Sequence, residues 1–161
     1  MLGQSATYPK IKQIKSNSYY QGLLQNLYAG NDGEISSFFQ FTYQNFILSP
    51  FGNNHASVFS KIASEDLLHA KSLAEAILML GGDPVFCNNQ GKWFGGRAVD
   101  YVKGVKQMLD LNIEAKEKHI IDYKTVISKI DEQQIKKMLQ GILADEENHL
   151  YKLKEIYRAM Q

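Results

Sequence analysis

The chain has 161 residues, with 18 Lys and Arg against 17 Asp and Glu, so its formal net charge is +1. That length supports one domain with a real core. The absence of any basic block or stripe argues against nucleic acid or an anionic membrane as partner. The lone cysteine, Cys87, excludes an intramolecular disulfide framework and fits a reducing compartment. The N-terminal stretch has no apolar signal core, and no run approaches the roughly 18 apolar residues of a membrane span, so a cytoplasmic protein is expected.

In chain order, residues 1–17 read as an extended arm, with Pro9 and the I-K-Q-I-K alternation leading to the helix-start signal Ser16–Asn17–Ser18. A helical pattern then runs to Leu48, with a potential break at Gly30–Asn31–Asp32–Gly33, and Ser49–Pro50 stops it. A second helix is predicted from about 56 to 80, ending at Gly81–Gly82–Asp83–Pro84. A Gly- and Asn-rich loop follows, in which Trp93 is expected to pin the loop. The third helix is predicted over about 98–130, and Asp131 is read as the N-cap of a fourth that runs to the end. No alternating strand pattern occurs. The expected fold is all-α: residues 18–161 as a four-helix bundle, two helical hairpins joined by a long crossover loop.

The 3.6-residue period identifies the inward faces. On the fourth helix Ile135, Leu139, Ile142, Glu146, His149, Leu153 and Ile156 share one stripe, so an acid and an imidazole interrupt an apolar seam. The second helix repeats this interruption with Asp66 and His69, each 80 residues before its counterpart. Residues at i and i+3 project from adjacent turns toward one centre, the geometry of a metal-ligand pair. The plainer alternative is two buried histidines, each satisfied by its local carboxylate. On the first helix Glu34 breaks the inward stripe, and on the third the residue that breaks it is Lys116. Glu114 and Glu117 lie about 200° and 100° around the helix from it, so neither replaces it.

A Glu from each of two helices plus a Glu-x-x-His from each of the other two is the dinuclear carboxylate pattern of ferritin-like proteins. The chain resembles bacterial members of that superfamily, close to the rubrerythrin, bacterioferritin and manganese-catalase-like groups. The resemblance spans about residues 8–160. It rests on the order of YPKI (8–11), YYQGLLQNLYAG (19–30), EISSFFQFTYQ, HAKSLAEAILMLGGDP (69–84), VDY (99–101) and ADEENHL (144–150). It implies Glu34 and His69 as ligands of one metal, Asp66 and Glu146 as bridging carboxylates, and His149 as the imidazole of a second metal. The family's Glu-x6-Tyr motif becomes Lys116-x6-Tyr123 on the third helix and Glu34-x6-Phe41 on the first, and Asp66 is one methylene shorter than the usual glutamate.

Charge counting sharpens the expectation. Glu34, Asp66 and Glu146 carry −3, which one divalent ion and a protonated Lys116 neutralise, whereas two ions would leave an uncompensated buried excess. The expected centre therefore holds one Fe or Mn at Glu34, Asp66, His69 and Glu146, with Lys116 standing where a second ion would sit. The resemblance implies dioxygen or peroxide chemistry for such centres, here at most weak, and no residue is singled out as catalytic. The alternative is a metal-free structural or interaction protein that kept the fold. Tyr43 and Tyr123 are candidate hydrogen-bond donors to the ligands. His55 and His119 lack an acid three residues upstream and are expected to face solvent. The aromatics of FFQFTYQNF, on more than one helix face, suggest a subunit contact, and a homodimer is the expected assembly.

Overall fold

The computed structural model describes residues 8–161; the first seven residues of the expected arm lie outside the described residues. Residues 8–17 carry no helix and lead to Asn17, whose side chain accepts from the Tyr20 amide and caps α1 (Ser18–Ala29). Four further α-helices follow: α2 (Glu34–Leu48), α3 (His55–Met79), α4 (Val105–Lys129) and α5 (Gln133–Ala159). Among the described residues there is no β-strand beyond one isolated bridge between Cys87 and Trp93. The fold is the expected all-α four-helix bundle, with its first rod in two pieces.

The first rod of the bundle is broken into α1 and α2, and both pieces pack antiparallel along α3. Gln21 of α1 donates to the Leu80 carbonyl just past one end of α3, and Asn45 of α2 donates to the Ala56 carbonyl near the other. The break needs glycine. A Cβ on Gly30 would stand 2.3 Å from the Asn26 carbonyl oxygen, and one on Gly33 2.8 Å from that of Leu27. It also makes Glu34 the first residue of α2, where the positive end of the helix favours a carboxylate that is fully buried.

Three sequence expectations shift. The third helix begins at Val105 rather than near 98, because Gly95–Gly96, a short 3₁₀ turn and Gly104 keep the chain extended until then. The N-cap of α5 is Glu132 and not Asp131; its carboxylate accepts from the Ile135 amide at 2.7 Å. Trp93 does not pin the crossover loop, since it is 68% exposed. The Gln25 amide does so instead, donating to the carbonyls of Val85 and Cys87.

The apolar core forms two clusters. One gathers Leu24, Leu27, Leu73, Ile77, Ile135 and Leu139 toward the α1 end; the other gathers Phe41, Phe59, Ile62, Met108, Leu109 and Leu153 toward the opposite end. Between them lies a layer of buried polar side chains. Hydrophobic burial on both sides of that layer, at about 25 cal/mol per Å², stabilises the bundle and offsets the cost of holding charge inside it.

Candidate metal centre

Four elements meet in the polar layer. Glu34 comes from α2, Asp66 and His69 from α3, Lys116 and His119 from α4, and Glu146 and His149 from α5, and every one is buried. Glu34, Asp66, His69 and Glu146 each offer one ligand atom, and these four atoms lie within 4.8 Å of one another. The sequence reading named the same four for a single ion.

His69 Nδ1 points into this group, 3.3 Å from Glu34 Oε2, 3.4 Å from Glu146 Oε1 and 3.9 Å from Asp66 Oδ1. Its Nε2 faces Asp145 Oδ2 at 3.5 Å, and Asp145 in turn accepts a short hydrogen bond from the Tyr8 hydroxyl. A ring with one nitrogen turned to carboxylates and the other to an outer carboxylate is held in the orientation a metal-binding imidazole needs. His149 repeats the arrangement. Its Nδ1 lies 3.2 Å from Glu146 Oε1 and its Nε2 2.6 Å from Glu65 Oε2. Each acid-x-x-His motif is thus preceded by an acid, Glu65 or Asp145, that faces the histidine of the other helix. Sequence reading missed both; the signal was the doubled acid in EDLLH and DEENH.

The Lys116 ammonium lies inside the cluster. It donates to Asp66 Oδ1 at 2.9 Å and to both oxygens of Glu146, at 2.9 and 2.8 Å. Burial works against its charge, but Asp66, Glu146 and Glu34 outweigh burial and raise its pKa. Burial pushes the Asp66 carboxyl up to about 6, with Lys116 opposing and the neighbouring Glu146 and Glu34 adding to the rise. Glu146 goes the other way: burial raises it, yet Lys116 and three histidines hold it well below the usual carboxylate range. The three buried histidines are raised despite burial, His69 by Glu34 and its carboxylate contacts, His149 by Glu146 and Glu65, and His119 by Glu34 and Glu146. Ser37 adds a hydrogen bond to Asp66 Oδ2 at 2.5 Å.

Of the two tyrosines, Tyr123 donates to Glu34 Oε1 at 2.5 Å. Tyr43 does not reach the cluster: it is half-buried, packs edge-on against Tyr101, and has Lys103 over its ring. His119 corrects the sequence reading outright. It is 2% exposed, with Nδ1 3.4 Å from Glu146 Oε2 and Nε2 4.0 Å from Glu34 Oε1. Reading only for an acid three residues upstream overlooked that Lys116 and His119, themselves three apart, share one face of α4.

The donor set of three carboxylates and an imidazole suits one hard-to-borderline divalent cation, and the inward-facing Nδ1 of His69 fits it. The same geometry does not fit a second ion between Asp66 and Glu146 on the α4 side, because the Lys116 ammonium itself stands there.

A helical bundle with acid and imidazole side chains converging at mid-height is the arrangement of carboxylate metalloproteins. The ferritin-like domain family matches residues 49–161, and the chain belongs to that family. No curated protein matches the sequence. Among solved structures it is similar to KatB, a manganese catalase from Anabaena, with a TM-score of 0.86 and 19% identity over 99% of this chain and 80% of that one. It is also similar to the bacterioferritin of Desulfovibrio desulfuricans, a protein with a diiron site (TM-score 0.70, 21% identity, 88% of this chain and 79% of the other). A third is the Rhodobacter capsulatus bacterioferritin with a metal-free dinuclear site (TM-score 0.76, 17% identity, 91% and 88%). At these identities the likeness concerns the fold.

Proposed function

We propose that this protein holds one divalent ion per chain, Fe or Mn, at Glu34, Asp66, His69 and Glu146, with the Lys116 ammonium in place of a second ion. The carrying observation is that Lys116 Nζ bonds both Asp66 and Glu146 while His69 Nδ1 is left turned toward the carboxylates. When bound, such an ion supplies one-electron or peroxide chemistry, and two-electron chemistry shared between two ions is lost. The chain's own part is to hold the ligands: Tyr123 and Ser37 fix one oxygen each of Glu34 and Asp66, and Asp145 faces the outer nitrogen of His69. His149, engaged by Glu65 and Glu146, supports Glu146 rather than completing the four-ligand set.

Elemental analysis tests this after anaerobic loading with Fe(II) or Mn(II) and desalting, on wild type and His69→Ala. One ion per chain, lost in the variant, is expected. No ion in either would overturn the reading and favour a metal-free structural protein. One observation supports that second reading: Lys116 and three raised-pKa histidines can neutralise the buried carboxylates unaided.

A homodimer remains our proposed assembly. It is supported by Phe46 and Phe51, 68% and 86% exposed at the end of the aromatic helix, and sedimentation at micromolar concentration tests it. No helix among the described residues is long and apolar enough to cross a membrane.

A further inference from the structure

Gly141 stands well inside α5, where glycine weakens a helix relative to alanine, so its place calls for a reason. The reason is Tyr8. A Cβ on Gly141 would stand 3.2 Å from the Tyr8 ring, which therefore rests against bare helix backbone. One turn further along α5, the Tyr8 hydroxyl donates to Asp145 Oδ2, the oxygen that faces His69 Nε2 at 3.5 Å. The ring meets the His69 ring edge-on, with 5.5 Å between centroids. From Tyr8 the arm runs toward the α1 end of the bundle. Ile11 and Ile14 pack on the core, the Lys12 amide donates to Gln134 Oε1, and the Ser16 hydroxyl donates to the Leu80 carbonyl. The arm thereby spans α3 and α5. The other half of the repeat is different. There Glu65, the acid that faces His149, has Lys61 at 3.8 Å, and Glu65 and His149 line a cavity of about 340 Å³. The arm closes over only one of the two repeated imidazoles, and it is the one that joins the four-ligand set.

We propose that Tyr8 is a positioning residue of the metal centre, and that docking of the arm through Tyr8 and occupancy of the four-ligand site stabilise each other. The proposal rests on the single-ion reading above. An ion at His69 Nδ1 requires the ring's proton to sit on Nε2, facing Asp145. Asp145 meets that proton only while its carboxylate stays turned inward, and its side chain is 32% exposed, so water competes for it. The Tyr8 hydroxyl, on the same Oδ2, is what holds it. The same contact fixes the end of the arm, because Tyr8 has its ring on Gly141 and His69 and its hydroxyl on Asp145. Whatever orders His69 and Asp145 therefore orders Tyr8, and the reverse. Such coupling is reciprocal: the factor by which the docked arm tightens the ion is the factor by which the ion tightens the arm.

The full-length protein tests this as wild type, Tyr8→Phe and Gly141→Leu. Co(II) affinity is measured by titration, read by its absorption bands. Hydrogen exchange of the arm amides, Lys12 above all, is followed with and without Co(II). In wild type, Co(II) should slow exchange in the arm roughly tenfold. Tyr8→Phe keeps the ring and loses the hydroxyl. Its Co(II) affinity should fall by about the same factor, with one ion still bound at saturation, and the slowing of arm exchange by Co(II) should be lost. Gly141→Leu puts a strong helix former into α5 and denies the ring its seat, so it should act in the same way while α5 stays helical. A Tyr8 that merely packs would loosen the arm equally in loaded and metal-free protein and leave affinity unchanged in both variants, and that result overturns the proposal. Arm exchange in wild type that is indifferent to a bound ion overturns it too. Both outcomes leave the single-ion reading standing. If wild type itself takes up no Co(II), that reading fails, and the coupling falls with it.

Discussion

Lys116 Nζ bonds both carboxylate oxygens of Glu146, at 2.9 and 2.8 Å, and holds Asp66 with its remaining donor. The ammonium thus bonds to both carboxylates that the family pattern assigns as bridging. Replacing it by glutamate removes the charge that excludes a second ion and adds a carboxylate that would bind one. Lys116→Glu should raise the metal content from about one toward two ions per chain. Elemental analysis after loading decides it, and unchanged uptake would show that the lysine is not what limits the site.

Lys116→Met keeps the volume and removes the charge. Three buried carboxylates then lose their main counter-ion, and loss of one partner of a buried pair costs about 3–5 kcal/mol. Burial already lifts the Asp66 carboxyl to about 6, so below that pH it takes up a proton and relieves part of the cost. Denaturant unfolding of the metal-free protein should show a larger penalty at pH 8 than at pH 5. An equal penalty at both would mean that the carboxylates are compensated by other groups.

Stability and metal affinity should respond to pH in opposite directions. His69, His119 and His149 have folded pKa values above the ordinary 6.5, despite burial, because carboxylates surround them. A raised folded value binds the proton more tightly in the native state, so this stabilisation is complete below about 6.5 and is lost as pH rises through the folded values. Metal needs His69 without its Nδ1 proton, so affinity should climb over the range where stability falls. Chemical denaturation without metal and Mn(II) titration, each between pH 6 and 9, check the two slopes. Affinity independent of pH would count against His69 as a ligand.

Tyr123→Phe deletes the hydroxyl that donates to Glu34 Oε1 at 2.5 Å and leaves the ring in place. A buried acceptor that loses its donor costs about 1–3 kcal/mol. Because the donor also holds a metal ligand, affinity should fall on the order of tenfold. Tyr43→Phe, remote from the cluster, should change neither quantity. Isothermal titration with Mn(II) and thermal unfolding distinguish the pair.

The 3.6-residue seams and the glycine and proline stops carried the all-α bundle, because local periodicity and backbone restriction are properties of neighbouring residues. The same seams exposed Glu34, Asp66, His69, Lys116, Glu146 and His149, since each is a polar residue at a position that should be apolar. Tertiary structure decided the rest. Glu65 and Asp145 matter only because α3 and α5 come together so that each faces the other helix's histidine. His119 is buried only because α4 turns it toward Glu146 and Glu34, so no pattern within its own helix announced it. Tyr43 and Tyr123 looked alike in the sequence, yet only the second reaches a ligand, because reach depends on the mutual rotation of packed helices. Periodicity along one helix determines which face turns inward; only packing between helices determines what that face meets.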